Sequence, residues 1–271
     1  MKNTGIYRYF SYNKIVVFLL FKLFKKAEGG MNHLVGFIIA SLFFAMIIIC
    51  PFIGYFILMR RQRKEREEII QAYKKTDYYK CTHLSMYAMK NDPGRFGEYN
   101  LYEYLWRFTE DDARFLFNLY LPHNNSTTEI DVVMINSYGV FVFESKNFSG
   151  WIFGNENFKN WCETFPNGEK SFFYNPIWQN KTHLNAIKNI LGKRYEYHSA
   201  VVFGEQADLM NVDTSSDVLS IYDLRDYLHK ESVNDYLSED EINQIYTKLY
   251  PYSQVGEEVK ENHVRNIEKY N

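Results

Sequence analysis

The longest apolar run in the chain lies near its N-terminus. Residues 34–59 are 26 positions without a charged side chain, Asn, Gln or His. As a helix this run would be about 39 Å long at roughly 1.5 Å per residue, which exceeds the roughly 30 Å hydrocarbon core of a bilayer. Pro51 and Gly54 are tolerated within membrane helices. The pattern predicts one transmembrane helix, and the alternative is a buried core helix.

Basic residues on the two flanks of this run predict its orientation. Seven Lys and Arg residues lie between 60 and 75, whereas four lie between 14 and 26. Because basic flanks resist translocation, the C-terminal side is expected in the cytoplasm. We therefore predict a single-pass protein of the cell membrane, with the lipid bilayer as a partner. Residues 60–93 are interpreted as a basic juxtamembrane stalk, and residues 1–33 as a segment that is interfacial or, with a start at Met31, untranslated.

Beyond the stalk, the hydrophobic pattern changes between helical and strand periods. Leu101, Leu105 and Phe108 are spaced as one buried helical stripe. Runs rich in Val, Ile and Phe predict strands, two of which are joined by a loop of Ser137 and Tyr138. The predicted elements are, in order, a helix at 97–108, strands at 114–122, 129–136 and 139–146, a helix from Pro176 to Leu191, and a strand at 198–204. This order predicts an α/β domain with one central sheet.

Charge is unevenly distributed, although the formal net charge is only −2. Residues 1–90 carry +10, residues 91–204 carry −3 and residues 205–271 carry −9. The domain is placed at 94–204, and the acidic remainder is predicted to contain two short helices. A hydrophobic fraction of 46% excludes disorder throughout, and the charge balance excludes a wholly basic nucleic-acid coat protein. The three cysteines have no CxxC spacing, which argues against a disulfide framework or a zinc site and favours a reducing compartment.

The hairpin between two of these strands brings candidate chemistry together. With a two-residue loop, Asp131 lies opposite Glu144, and directly opposed side chains share one face about 4.5 to 5.5 Å apart. Lys146 is two residues beyond Glu144 and projects from the same face. Two carboxylates and an ammonium group therefore converge at the end of an apolar strand.

This cluster has two interpretations. Opposed carboxylates are destabilising unless a proton or a cation lies between them, and Mg²⁺ prefers such oxygen ligands. A metal-bound water is more acidic than bulk water, and a lysine stabilises charge that develops on a phosphoryl oxygen. These groups would form a hydrolytic site for a phosphodiester. Alternatively, Lys146 simply neutralises Asp131 and Glu144 at an exposed sheet edge, and the residues alone leave both interpretations open.

Several short motifs occur in one order along the chain. They are Gly97–Glu98, Glu129-x-Asp131, Glu144-x-Lys146-Asn147 and Asn175-Pro176-x-x-Gln179. This ordered set resembles the nuclease-related domain (NERD) family over roughly 94–204. The resemblance implies a PD-(D/E)XK, restriction-endonuclease-like fold, in which helices flank a central mixed sheet, here preceded by one transmembrane helix.

The resemblance also implies a role for each motif residue. Asp131 and Glu144 look like the metal-binding acids, and Lys146 looks like the catalytic lysine. Glu98 resembles the acid on the first helix, and Gln179 a supporting helical glutamine. The implied function is membrane-anchored hydrolysis of nucleic acid, with Mg²⁺ or Mn²⁺ as the cofactor and DNA favoured over RNA. The alternative is a catalytically inactive membrane-tethered module that keeps the fold and binds nucleic acid or protein.

The remaining histidine and tryptophan candidates are given structural interpretations. His183 shares a helix face with Gln179 at i and i+4, but we interpret this single histidine as a structural or surface residue. The tryptophans could stack on bases, yet core packing is favoured for all of them. They are Trp106, Trp151, Trp161 and Trp178.

Overall fold

The computed structural model describes Lys22 and residues 33–109, 113–124 and 126–270. Almost all of the N-terminal segment predicted at 1–33, including the alternative start at Met31, lies outside the described residues. The chain divides into two compact units, residues 1–70 and 71–271. The second unit thus begins inside the segment that was interpreted as a stalk.

Helix α1 (His33–Lys75) contains the apolar run and continues through the basic residues that follow it. Its most apolar window has a mean hydropathy of 2.6 and is wholly unburied, which argues against a buried core helix. Ion pairs at i and i+4, Arg61–Glu65 and Arg63–Glu67, support the helix beyond the apolar run. Within the described ranges, this is the one helix that is long and apolar enough to cross a membrane.

Three helices precede the first strand of the second unit. They are α2 (Asp77–Thr82), α3 (Met86–Asn91) and α4 (Pro93–Phe108). The residue before each helix accepts a backbone N–H of the first turn through its side chain. These residues are Thr76, Ser85 and Asp92, in that order. These caps satisfy donors that a helix leaves unpaired at its start, so the sequence specifies where each helix begins.

Helix α4 buries the stripe that the sequence predicts, except at its C-terminal end. Leu101 and Leu105 are buried, and Glu98 is buried on the same side. Phe108 is exposed, because it lies at the last residue of the helix, where the covering sheet ends. The helix therefore directs an acidic side chain into the protein.

Nine strands form two sheets in the described part of the chain. They are β1 (Arg114–His123), β2 (Ser126–Asn136), β3 (Gly139–Lys146), β4 (Trp151–Asn155), β5 (Asn160–Thr164), β6 (Lys170–Tyr174), β7 (Tyr197–Phe203), β8 (Asp208–Asp213) and β9 (Val218–Ser220). The larger sheet has the order β1-β2-β3-β7-β9 and the smaller sheet β6-β5-β4-β8. In the larger sheet β1, β2 and β3 are antiparallel, whereas β3, β7 and β9 are parallel, so this sheet is mixed.

Helices complete the second unit on both sides of the larger sheet. They are α5 (Pro176–Leu191), a 3-10 turn (Ile221–Asp223), α6 (Leu224–Glu231), α7 (Glu239–Ser253) and α8 (Glu257–Tyr270). The central residues of β2 and β3 are buried on both strand faces, as expected for a sheet that is covered on two sides. The predicted mixed α/β architecture is confirmed, and α6 and α7 are the two short helices predicted in the acidic C-terminal region.

The tryptophans do not all pack in the core. Trp161 of β5 is 1% exposed and packs with Phe203 on the inner face of the smaller sheet, whereas Trp106, Trp151 and Trp178 are exposed. Core packing is therefore confirmed for Trp161 and wrong for the other three. Trp151 occupies an outward position of β4, and the other two lie on outer surfaces of α4 and α5, so none of the three has a layer above it.

Candidate nuclease site

The β2–β3 hairpin has the register that the sequence predicts. The paired residues run from Asn136 with Gly139, beside the two-residue turn, to Val132 with Phe143 at the far end. Asp131 and Glu144 are the next residues on the two strands. The hairpin therefore brings both acids to the same end of the sheet.

Glu144 and Lys146 form an ion pair at the end of β3. Lys146 Nζ lies 2.6 Å from Glu144 Oε1 and donates a second hydrogen bond to Gln179 Oε1 at 3.1 Å. Glu144 is only 1% exposed. Burial acts to raise the pKa of Glu144, but Lys146 and His183 outweigh it and hold this pKa below its ordinary value. Burial acts to lower the pKa of Lys146, but Glu144 outweighs it and raises this pKa above its ordinary value. Glu144 and Lys146 therefore form a pair of opposite charges.

Asp131 has the opposite electrostatic balance. Its Oδ2 accepts the backbone N–H of Ser145 at 2.8 Å. Burial, followed by the negative charges of Glu144 and Glu98, raises the pKa of Asp131 well above its ordinary value. The two acids on adjacent strands therefore differ in their readiness to ionise, a pattern that separates acid and base roles in active sites.

Glu98 approaches Asp131 from helix α4 but has partners of its own. Its Oε1 accepts from Arg95 at 3.0 Å, and its Oε2 accepts from the Tyr78 hydroxyl at 3.3 Å. Burial raises the pKa of Glu98 to about 7, although Arg95 offsets part of the rise. Arg95 also bonds Glu129. Glu98 thus contributes negative potential near Asp131 while being held by Arg95 of α4 and Tyr78 of α2.

His183 has a specific place in this cluster that the sequence interpretation missed. Its Nε2 lies 2.9 Å from Glu144 Oε2, and its Nδ1 lies 2.8 Å from Thr128 Oγ1. The residue is buried, so the structural part of the interpretation is right and the surface part is wrong. The signal in the sequence was its i+4 spacing from Gln179, since both side chains face the end of β3.

Asn118 is a second polar residue of the site that the sequence analysis passed over. Phe117 pairs with Val132 and Leu119 pairs with Ile130, which leaves Asn118 and Asp131 facing each other between two ladder pairs. Asn118 has φ +52°, a left-handed conformation that Asn tolerates better than most residues. It is buried and lies close enough to Glu98 to lower the pKa of that acid. Among the described residues, its Nδ2 has no hydrogen-bond partner of ordinary geometry.

The glycine and asparagine of two motifs explain how α4 packs against β3. A Cβ at Gly97 would lie 2.7 Å from the Cβ of Asn147, so the helix approaches the strand end at a distance only glycine permits. Asn147 Nδ2 donates to the Pro93 carbonyl at 2.7 Å. This close contact positions Glu98, the residue after the glycine, beside the acids of the sheet.

A third motif places Gln179. Asn175 is fully buried and caps α5 by accepting the N–H groups of Ile177 and Trp178. Its Nδ2 donates to backbone carbonyls, the shortest bond being 2.8 Å to Phe158. The start of α5 is therefore fixed to the chain before it, which places Gln179 in the first turn within reach of Lys146.

The acids of the site match a hard cation in donor chemistry. Among the described residues no three His, Cys, Asp or Glu side chains are grouped so as to hold a metal by themselves. Mg²⁺, however, usually takes one or two carboxylates and keeps several waters, and Asp131 with Glu144 would supply two. Burial first, and then the negative charges of Glu144 and Glu98, raise the pKa of Asp131, and a bound divalent cation would offset the part that comes from negative charge. Carboxylate oxygens that accept one hydrogen bond retain a further lone pair for a cation.

The region that contains this site also matches a known protein family. Residues 93–204 match the family model of the nuclease-related domain (NERD). The predicted resemblance is confirmed. The NERD match extends from α4 through β7 and so includes every residue assigned to the site above except Tyr78.

One curated relative is similar to part of the chain. It is an uncharacterized protein of Bacillus anthracis, 35% identical over 104 residues, a match that covers 36% of this chain and 49% of that protein. The chain thus spans about half the length of this relative. No solved structure matches the chain.

Proposed function

We propose that this protein is a membrane-anchored, divalent-metal-dependent nuclease that hydrolyses phosphodiester bonds of DNA or RNA on the cytoplasmic side of the cell membrane. The NERD match supports a nuclease-related function. The observation that carries the proposal is the convergence of Asp131, Glu144, Lys146 and Gln179 at one end of the mixed sheet. Paired acids that can hold a divalent cation, beside a buried lysine, are groups suited to phosphodiester hydrolysis.

Each residue has a distinct task in this proposal. Asp131 and Glu144 hold Mg²⁺ or Mn²⁺, which when bound polarises a phosphoryl oxygen and acidifies water. The Lys146 ammonium group stabilises the negative charge that develops on the phosphate. Gln179 keeps Lys146 at the end of the strand. His183 holds the second oxygen of Glu144, so this carboxylate keeps its orientation when Lys146 turns toward a substrate.

Membrane anchoring rests on α1. Its apolar side chains are exposed over the span of a bilayer, and exposed apolar surface of this extent is stable in lipid rather than in water. The excess of basic residues on its C-terminal side supports a cytoplasmic second unit. Anionic lipid headgroups would add to the attraction of this basic flank.

The second candidate is an inactive membrane-tethered module that binds nucleic acid or protein. The observation that favours it is the pairing of Lys146, whose ammonium group already contacts Glu144 and Gln179. Residues 91–204 also carry a formal charge of −3, which gives no long-range attraction for phosphates. A divalent cation bound between Asp131 and Glu144 would compete with Lys146 for Glu144 and would add positive charge to this region.

Cleavage and metal binding by the full chain in detergent distinguish the two candidates. We expect the wild type to cleave a mixture of single- and double-stranded DNA and RNA with Mg²⁺ or Mn²⁺ and not with EDTA. We also expect either metal to raise the unfolding temperature of the wild type but not of Asp131→Asn. A folded wild type that shows neither cleavage nor metal-linked stabilisation would contradict the nuclease proposal and favour the inactive module.

A further inference from the structure

The outer face of the smaller sheet carries a row of aromatic side chains. Phe172 on β6 pairs with Cys162 on β5, which pairs with Phe153 on β4. Phe172 is 69% exposed and Phe153 is 38% exposed. Trp151 and Tyr174 are two residues away from these positions on their strands, so they share the face, and both are exposed.

The opposite face of the same sheet is occupied by the protein itself. Ile152 and Trp161 are buried against Phe203 of β7, and the Trp161 and Phe203 rings stack with centroids 6.3 Å apart. The aromatic residues of the outer face therefore do not contribute to the core. Contiguous exposed aromatic surface of this kind marks a binding site more often than a random surface.

The aromatic row continues toward the candidate site. Tyr174 and Trp178 form an edge-to-face pair with ring centroids 6.1 Å apart. Trp178 directly precedes Gln179, which accepts the hydrogen bond from Lys146. Exposed rings thus extend from the centre of the smaller sheet to the helix turn that contacts the proposed catalytic lysine.

Free cations accompany the row along one side. Lys159, Lys170 and Lys181 are exposed, and in the described part of the chain none of them takes part in an ion pair. Lys170 belongs to the edge strand β6, and Lys181 follows Trp178 by one helical turn. Of the three acidic residues in the strands of this sheet, Asp208 and Asp213 lie on the other edge strand, β8, and Glu163 of β5 is buried on the opposite face. Charge and rings together fit a polyanion that lies along β6 and α5.

We propose that this face, defined by Trp151, Phe153, Phe172, Tyr174 and Trp178, binds single-stranded nucleic acid and leads it to the candidate site. Unpaired bases stack on exposed rings irrespective of sequence, while a duplex keeps its base faces covered. The three lysines contact phosphates along the same path. The inference deepens the proposed function, on which it rests for the direction of the path, and it assigns single strands as the substrate class.

Binding by the full chain in detergent tests the proposal without requiring cleavage. The probe is a fluorescent oligothymidylate of roughly a dozen nucleotides, added in EDTA to the wild type and to the double variant Phe153→Ala and Phe172→Ala. We expect the double variant to bind at least about tenfold more weakly, since each stacked base contributes about 1 to 3 kcal/mol. The control is Tyr87→Ala, which removes an exposed ring on α3 and should bind as the wild type does. A hairpin duplex of adenine–thymine pairs with the same number of nucleotides should bind more weakly than the single strand.

Each outcome bears on one of the two proposals. Equal binding by the wild type and the double variant, or a preference for the duplex, would overturn the single-strand platform even in a protein that cleaves DNA. Binding that depends on Phe153 and Phe172, in a protein that cleaves no nucleic acid, would support the proposed binding face and contradict the nuclease proposal. A change of oligomeric state in the double variant, without a change in oligonucleotide binding, would instead assign the face to a second copy of this chain.

Discussion

Asp131 and Glu144 show how two acids of the same class acquire different properties at neighbouring positions. Glu144 has Lys146 and His183 as partners and stays ionised, whereas Asp131 has one backbone donor and two negative neighbours. Local sequence does not predict this difference, because His183 reaches Glu144 across 39 positions. The identity of the acids is readable from the sequence, but their protonation depends on what the fold places around them.

Glu98 gives a prediction for the pH dependence of stability. Its pKa in the folded protein is about 7, above its ordinary value, so the folded state holds a proton that the unfolded state releases. The associated stability is fully present below about pH 4.5 and is lost as the pH rises through about 7. Its magnitude is on the order of 3 kcal/mol. In EDTA, the unfolding temperature of the wild type should therefore fall more steeply between about pH 5 and about pH 8 than that of Glu98→Gln. Parallel curves for the two proteins would contradict the assignment.

At the scale of elements, the contact between α4 and β3 determines where Glu98 lies. Gly97→Ala would place a Cβ 2.7 Å from the Cβ of Asn147, so the helix must move away from the strand. We expect a loss of about 1 to 3 kcal/mol in the free energy of unfolding, measured by denaturant titration of the full chain in detergent.

Gly94→Ala is the matched control in the same helix. Its added Cβ meets only the Asp92 carboxylate, at 3.3 Å, and alanine favours helices over glycine by about 1 kcal/mol. Gly94→Ala should therefore be neutral or stabilising. Equal losses in both variants would show that helix propensity, rather than contact with β3, limits position 97.

The elements that the sequence predicts well are those specified by local signals. The two-residue loop fixed the β2–β3 register, and Asn175 with Pro176 marked the start of α5. Strands β8 and β9 have short, mostly half-exposed segments with no clear period, and they exist because β4 and β7 offer free edges. Asn118 could not be assigned to the site from the sequence for a similar reason. It is a single polar residue in an apolar strand, and only the strand pairing places it opposite Asp131.

At the scale of the whole molecule, the proposed anchor and the candidate site lie in different units. The apolar and basic part of the chain lies in residues 1–70, whereas the site lies wholly within residues 71–271. An acidic second unit gives no long-range attraction for nucleic acid, so the proposed binding relies on short-range stacking, local lysines and metal at the candidate site. The apolar part of α1 and its basic flank were predictable from composition alone, because hydropathy and charge are read directly from the sequence, whereas the continuation of the helix to Lys75 was not predicted.

The most direct measurement of the central claim compares cleavage rates of the wild type, Glu144→Gln and Lys146→Met in Mg²⁺ or Mn²⁺, using the full chain in detergent. Both variants keep the volume of the buried pair, and Lys248→Met, an exposed lysine on α7, is the control. The account predicts that Glu144→Gln and Lys146→Met each lose at least about a hundredfold in rate, while Lys248→Met cleaves as the wild type does. Undiminished cleavage by either of the first two variants would show that the acids and the lysine at the end of β3 are not the catalytic site.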